Sequence, residues 1–471
     1  MNGGKPAAMI PVACTAVPSL FPRRDSKEFN PVPTFDEALE SQLLLVNQEC
    51  ICLTLDRGAL RDAIIGETEE PAFAASLLEA RPNLFSDVAV FISASQLAQM
   101  RRVIMAIETV ASDPRYRAAV LDWAPASACR DFGPRGVFMG YDFHLGENGP
   151  ALIEINSNAG GAMLNAVLAR AQRACCSSQP SNLVLPEAFE GAVAAMFAKE
   201  WHYQRGSGEA ASIAIVDDEP EAQYLYPEFL LTRRLLERAG HRVWIADPSK
   251  LEYVSGELQY GGERVDLVYN RLVDFSLDRP EHAALRAAYL DGSAVVTPNP
   301  HVHAIFADKR NLTLLSDADL LRDWGFDQAL VETLTKGIPA TERVTRTSAE
   351  RLWADRRQFF FKPSRGYASK AAYRGEKLTK SVWAEILGSD YVAQAYVPPS
   401  ERVILLDGEA VKRKIDLRLY TYDGQVLLAA ARLYQGQTTN MRTAGGGFAP
   451  VLLTAGDDPS ADCGMCAIRA T

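Results

Sequence analysis

No apolar run in the 471 residues approaches the roughly 20 that a bilayer-crossing helix needs. The opening stretch, MNGGKPAAMIPVACTAVPSLFPRR, is broken by prolines and lacks a compact apolar core before a cleavage site, so it does not read as a signal peptide. Positive charge is in deficit: 49 Lys and Arg against 59 Asp and Glu give a net −10, which excludes a general nucleic-acid or membrane-surface binder. No internal repeat and no low-complexity tract is present. The eight cysteines, without a secretion signal, are expected as reduced thiols. Cys463 and Cys466 have the spacing of a zinc or redox pair, but no second pair or histidine cluster accompanies them, and they read as incidental. What is present is ordinary globular material, 48% hydrophobic and 23% charged, enough for a large buried core. At roughly 150 residues per domain, the length suggests about three units in a cytoplasmic protein.

Along the chain, residues 1–35 are proline-rich, and Thr34-Phe35-Asp36 opens a helix. Short apolar runs at 50–55 and 88–92 read as buried strands, and 95–110 has helical spacing behind a serine cap. Two alternating strands cover 136–156, and a small-residue helix follows at 160–175. The segment QRGSGE at 204–209 is the clearest linker. Beyond it, strands at 213–216, 243–245 and 265–269 alternate with a helix at 230–239, the order of a parallel sheet with helical crossovers. Later strands are expected at 358–362, 391–396, 416–422 and 425–433.

One motif is deceptive. Ile215-Val216-Asp217-Asp218-Glu219-Pro220 resembles the acidic pocket of a response-regulator receiver. The third strand, however, ends in Asn270-Arg271 where a phosphorylatable Asp is needed. An acidic loop at a helix N-terminus is the simpler reading.

Three constellations carry chemistry. In the first, Glu154 and Asn156 share one face of a strand. A three-residue turn, Glu147-Asn148-Gly149 with Gly149 left-handed, would pair Gly146 with Pro150 and set Asp142 opposite Glu154. A two-residue Asn148-Gly149 turn would instead set Asp142 opposite Ile155; the missing N–H of Pro150 favours the first. Two carboxylates about 5 Å apart ask for a cation between them, and Asn156 adds an amide oxygen. In the second, the aromatic strand Phe359-Phe360-Phe361 delivers Lys362 into the loop Pro363-Ser364-Arg365-Gly366, which can wrap phosphates although it is not a Walker loop. In the third, Arg418 and Arg432 sit on two successive strands ahead of Gly445-Gly446-Gly447, suited to carboxylate or phosphoryl oxygens. Residues 351–380 also hold nine Lys and Arg against two acids, a net of +7 inside a chain whose remainder is −17.

Together these pieces resemble the ATP-grasp superfamily of carboxylate–amine ligases. Because Glu154-Ile155-Asn156 precedes the parallel-sheet segment and the phosphate lysines, the order is similar to the circularly permuted members related to glutathionylspermidine synthetase. The resemblance covers roughly 130–455. It implies an α/β fold with α+β elements: a permuted metal-binding half in 1–205, a Rossmann-like pre-ATP-grasp domain in 206–300, the nucleotide-binding region in 301–455, and a tail in 456–471. It implies that Asp142, Glu154 and Asn156 bind magnesium, two ions in all. It implies further that Lys309, Lys362, Ser364 and Gly366 meet ATP phosphates. Gln394, Tyr396 and Val397 would form the adenine hinge, and Glu401 would reach the ribose. Arg418 and Arg432 would act on the acceptor carboxylate and the transferred phosphoryl group. The activity implied is ADP-forming amide ligation through an acyl-phosphate, with small-molecule or peptide carboxylates and amines as partners; a homodimer is compatible with it. The pattern departs at Gly140, where the family has an arginine two residues before the metal Asp; Arg135 or Arg432 are candidates to replace it. That departure motivates the alternatives of a silent nucleotide-binding scaffold or regulatory pseudoenzyme, or of an ATP-dependent phosphotransferase.

Overall fold

The structure is a computed structural model that describes residues 47–48, 54–68, 71–146, 148–171, 186–365, 371–440 and 442–453. The expected helix start at 34–36, most of the strand at 50–55, Gly366 and the Cys463/Cys466 pair lie outside the described residues. Cys129 is disulfide-bonded, against the expectation of reduced thiols.

The largest sheet has seven strands and draws them from both ends of the described chain. Its order is Val90–Ile92, Gly447–Leu453, Gln425–Tyr434, Glu409–Tyr422, Met139–Gly146 and Gly149–Asn156, with Glu401–Leu406 added against Glu409–Tyr422. Only the first pair is parallel. The period of two sorts the longest strand cleanly. Ile415, Leu417 and Leu419 enter one core with Met100, Ile104 and Ile107 of the helix Ala94–Ala111, while Tyr420 and Tyr422 enter another. Asp416 and Arg418 therefore share the face of Tyr420. The helix Ala94–Ala111 begins at a capping box: Gln96 N–H donates to Ser93 Oγ at 2.9 Å, and Ser93 N–H donates to Gln96 Oε1 at 3.1 Å.

The second sheet is wholly parallel, in the order Val295–Thr297, Leu267–Asn270, Ser212–Val216, Arg242–Ala246, with the helices Tyr226–Arg238 and Ala283–Asp291 as crossovers. Its strands at 212–216, 242–246 and 267–270 match the sequence reading closely. The fourth was not expected, nor was the small antiparallel sheet Leu251–Val254, Glu257–Tyr260, Glu263–Arg264. A second four-stranded sheet runs Thr341–Arg343, Tyr391–Ala395, Phe359–Pro363, Tyr373–Arg374.

Two buried carboxylates tie these sheets together. Glu200, fully buried in the helix Pro186–Arg205, accepts the N–H groups of Arg135 (2.8 Å) and Gly136 (2.9 Å), the Tyr422 hydroxyl (2.9 Å) and the Thr297 hydroxyl. Burial dominates and raises its pKa. Glu228 accepts Gly161 N–H at 2.8 Å and Met163 N–H at 3.1 Å, at the start of the helix Ala162–Arg170. A buried polar group survives only with such partners, so each acid fixes the loops it caps.

Candidate active site

The hairpin that carries Asp142 and Glu154 reaches the expected pairing by an unexpected route. Gly146 pairs with Gly149, Leu145 with Pro150, and Phe143 with Leu152. The loop is thus one residue shorter than expected, and Gly146 does not pair with Pro150. The register then shifts between Phe143 and Asp142, leaving Ile153 as the extra residue and setting Asp142 opposite Glu154 after all. Gly149 has φ 98°, the left-handed conformation expected of it. The bulge also has a chemical consequence: the Ile153 carbonyl accepts Lys362 Nζ at 2.5 Å.

Asp142 is enclosed by cations. Arg418, directly opposite it on the neighbouring strand, donates Nε to Oδ1 and Nη2 to Oδ2, both at 2.6 Å. Arg432 Nη2 donates to Asp142 Oδ2 at 2.7 Å and to Asp416 Oδ2 at 2.5 Å, and Asn156 Nδ2 donates to Asp142 Oδ2 at 3.1 Å. Burial alone would push the Asp142 carboxyl up; Arg418 and Arg432 outweigh it and hold it down at about 2. Asp416 shares Arg432 but not the paired bonds of Arg418; burial, with repulsion from Asp142 adding to it, pushes it up to about 6. Its Oδ2 also accepts the Thr439 hydroxyl at 2.8 Å, while its Oδ1 is buried with no hydrogen-bond partner.

Gly140 finds its explanation here. A Cβ on it would lie 2.5 Å from the Ala159 Cβ and 3.3 Å from Arg418 Cδ and Nε. The guanidinium beside Asp142 comes from the next strand and lies across the glycine. Arg135 takes no part in this network; its guanidinium lies over the Tyr203 ring.

Next to this network the surface opens into a cleft. Its charged lining includes Glu154, Lys309, Lys362 and Asp416; its apolar lining includes Ile153, Phe360 and Tyr434. Lys309 Nζ pairs with Glu154 Oε1 at 2.9 Å, and Lys362 Nζ donates to Gln394 Oε1 at 2.8 Å. Desolvation lowers Lys362 to about 8, with Glu154 opposing and Lys309 adding to the shift. Glu154 is lowered, because Lys309 and Lys362 outweigh its own desolvation. The lysines reach the cleft from separate segments that are clipped together. Lys309 N–H donates to Ser364 O at 3.1 Å, Ser364 N–H to Asp390 O at 2.9 Å, and Arg310 Nη1 to Asp390 Oδ2 at 2.8 Å.

The structure distributes the expected residues unevenly. Glu154, Lys309, Lys362, Gln394, Tyr396 and Val397 line the cleft together. Asp142, Asn156, Arg418 and Arg432 form the network behind it. Ser364 is buried beside Lys309, its hydroxyl without a partner, and does not line the cleft. Glu401 is turned to Lys412 at 2.9 Å and is likewise absent from the lining. The sequence reading did not single out His144 or Asp416 as site residues. Both were accessible to it: His144 lies two positions beyond Asp142, and Asp416 two before Arg418, each on the site face of its strand.

A nucleotide fits this lining. Gln394 Nε2 is a buried donor with no partner, and two cations stand beside an apolar wall. A divalent cation does not fit the set Asp142, Glu154 and Asn156 as folded. Both Asp142 oxygens are taken by guanidinium groups, and among the described residues no group of three or more His, Cys, Asp or Glu is placed to hold a metal. Nor is any described helix long and apolar enough to cross a membrane.

No known family profile matches the chain, and no curated protein matches it. Solved structures do. A putative gamma-glutamylcysteine synthetase from Methylobacillus flagellatus KT aligns at TM-score 0.43 and 11% identity, over 74% of this chain and 86% of its own. The ATP-grasp ligase PsnB, solved with a minimal precursor, aligns at TM-score 0.27 and 14% identity, over 54% and 92%. A glutathione synthetase-like effector from Globodera pallida, solved in its apo form, aligns at TM-score 0.51 and 12% identity, over 86% of this chain and all of its own. The mixed α/β architecture assembled above is therefore one that this chain shares with a glutathione synthetase-like effector.

Proposed function

We propose that this chain is an ATP-dependent ligase that joins a carboxylate to an amine through an acyl-phosphate, with release of ADP. One observation carries the reading: two buried lysines from separate segments, Lys309 and Lys362, converge beside Glu154 in a cleft backed by a guanidinium network. On this reading phosphate oxygens replace Glu154 and the Ile153 carbonyl as partners of the two ammonium groups. Such a site acts by positioning and by electrostatic stabilisation of phosphoryl charge. The γ-phosphoryl passes to a carboxylate oxygen of the acid; the amine then attacks the acyl carbon and expels phosphate. Arg432 is the guanidinium suited to the developing oxyanion, because its Nε has no partner. Arg418, committed to both oxygens of Asp142, positions that network. No step is assigned to magnesium.

A second reading, a nucleotide-binding scaffold without turnover, draws support from the same Asp142–Arg418 pair, which occupies the carboxylate where a catalytic metal is expected. A panel of acids and amines assayed for ADP release, with mass spectrometry of the products, separates the two. Amide product with amine-dependent ADP release supports the ligase. Saturable ATP binding with no turnover on any pair supports the scaffold, and ADP release without amine dependence marks a phosphotransferase.

A further inference from the structure

The cleft holds a group that the ligase reading leaves unused. His144 lines it, and its Nδ1 lies 2.8 Å from the Val397 carbonyl oxygen. A carbonyl can only accept, so the ring proton is on Nδ1 and the lone pair is on Nε2. The contact is also held in place by packing: a Cβ on Gly146 would lie 2.9 Å from Val397 Cγ1, so the hairpin meets the 394–397 segment at glycine distance. Among the other polar groups of the lining, Lys309, Lys362 and Gln394 Nε2 are donors suited to phosphates, Glu154 faces Lys309, and Asp416 presents an anionic carboxylate bonded to Arg432 through Oδ2. The Val397 carbonyl, a natural acceptor for a base amino group, is taken by the histidine itself.

We propose that His144 determines nucleobase choice in this cleft, its Nε2 accepting from the exocyclic amino group of adenine. A 6-oxopurine presents an oxygen at that position, and lone pair would face lone pair. The assignment rests on the nucleotide reading above, and calorimetry on the full chain tests both. ATP is expected to bind about tenfold more tightly than ITP, the worth of one hydrogen bond. His144→Phe, which keeps the ring volume, is expected to narrow that ratio below about threefold. Selective nitrogen-15 labelling of the six histidines supplies a readout independent of any variant's folding. The ring signal that His144→Phe removes should report an Nδ1–H tautomer and should shift when ATP is added. Equal affinity for ATP and ITP alongside tight, Lys362-dependent ATP binding would overturn the His144 assignment alone. An Nε2–H tautomer for His144 would do the same. Failure of the wild-type chain to bind ATP, or binding indifferent to Lys362→Met, would overturn the nucleotide reading and this inference with it.

Discussion

Arg418 grips Asp142 from the adjacent strand, donating Nε and Nη2 to its two carboxylate oxygens at 2.6 Å each. Both side chains are nearly inaccessible, 9% and 1% exposed. An ion pair so buried is costly to form and far costlier to break on one side, because the surviving charge is left without a partner.

Arg418→Met should therefore lower unfolding stability by about 3–5 kcal/mol. Urea denaturation of the variant checks this, and a loss below about 1 kcal/mol would mean that Arg432 alone satisfies Asp142.

Gly140→Ala tests the space beneath that pair. The new methyl would sit 2.5 Å from the Ala159 Cβ, a contact that neither small side chain can relieve by rotating. A cost of about 1–3 kcal/mol is expected, typical of overpacking. A thermal melt unchanged from the wild type would show that the two strands part easily here.

Glu154→Gln separates chemistry from folding. The Glu154 side chain is 30% exposed and paired to Lys309, so its neutralisation should shift stability by less than about 1 kcal/mol. Substrate-dependent ADP release should persist, because on the proposed reading the phosphates displace Glu154 from Lys309. Abolished turnover would give Glu154 a part in the chemistry beyond that pair.

The pH dependence of stability follows from buried neutral histidine. His303, stacked on Phe275 with centroids 3.6 Å apart, is held down at about 3 by burial, with Lys309 and Arg365 adding to the shift. Its folded pKa lies below the unfolded value of about 6.5. The unfolded chain therefore binds the proton first, and stability is lost as pH falls below about 6.5. The slope attributable to one such histidine is about 1.4 kcal/mol per pH unit. Asp142, held at about 2, adds a further loss only as pH falls from about 4 towards 2. His303→Phe should flatten the urea-midpoint profile between pH 6 and 4, whatever its effect at pH 7. An unchanged slope would show that His303 protonates freely in the folded chain.

Much of the architecture could be read from local pattern. Alternation and apolar runs locate the strands Met139–Gly146, Ser212–Val216, Phe359–Pro363 and Gln425–Tyr434 to within a few residues. The serine cap marks the start of Ala94–Ala111. The elements that escaped are short or mixed: Val295–Thr297 has three residues, and Glu401–Leu406 and the first half of Glu409–Tyr422 are rich in charge. Such strands exist because a neighbour supplies their hydrogen bonds, and the neighbour is distant in sequence.

The site divides in the same way. Residue type and local order pointed to Lys362 and Glu154, on an aromatic strand and an alternating strand, and the family resemblance added Lys309 and 394–397. Which carboxylate stays available, and which is neutralised, depended on tertiary structure. Asp142 meets Arg418 only because two strands some 276 positions apart pair in one register, and Glu154 meets Lys309 only because the Ile153 bulge restores that register across the hairpin. Alternation along a strand tells which side chains share a face. Which charge stands opposite is decided by the partner strand, and that choice made Asp142 an anchor for two arginines.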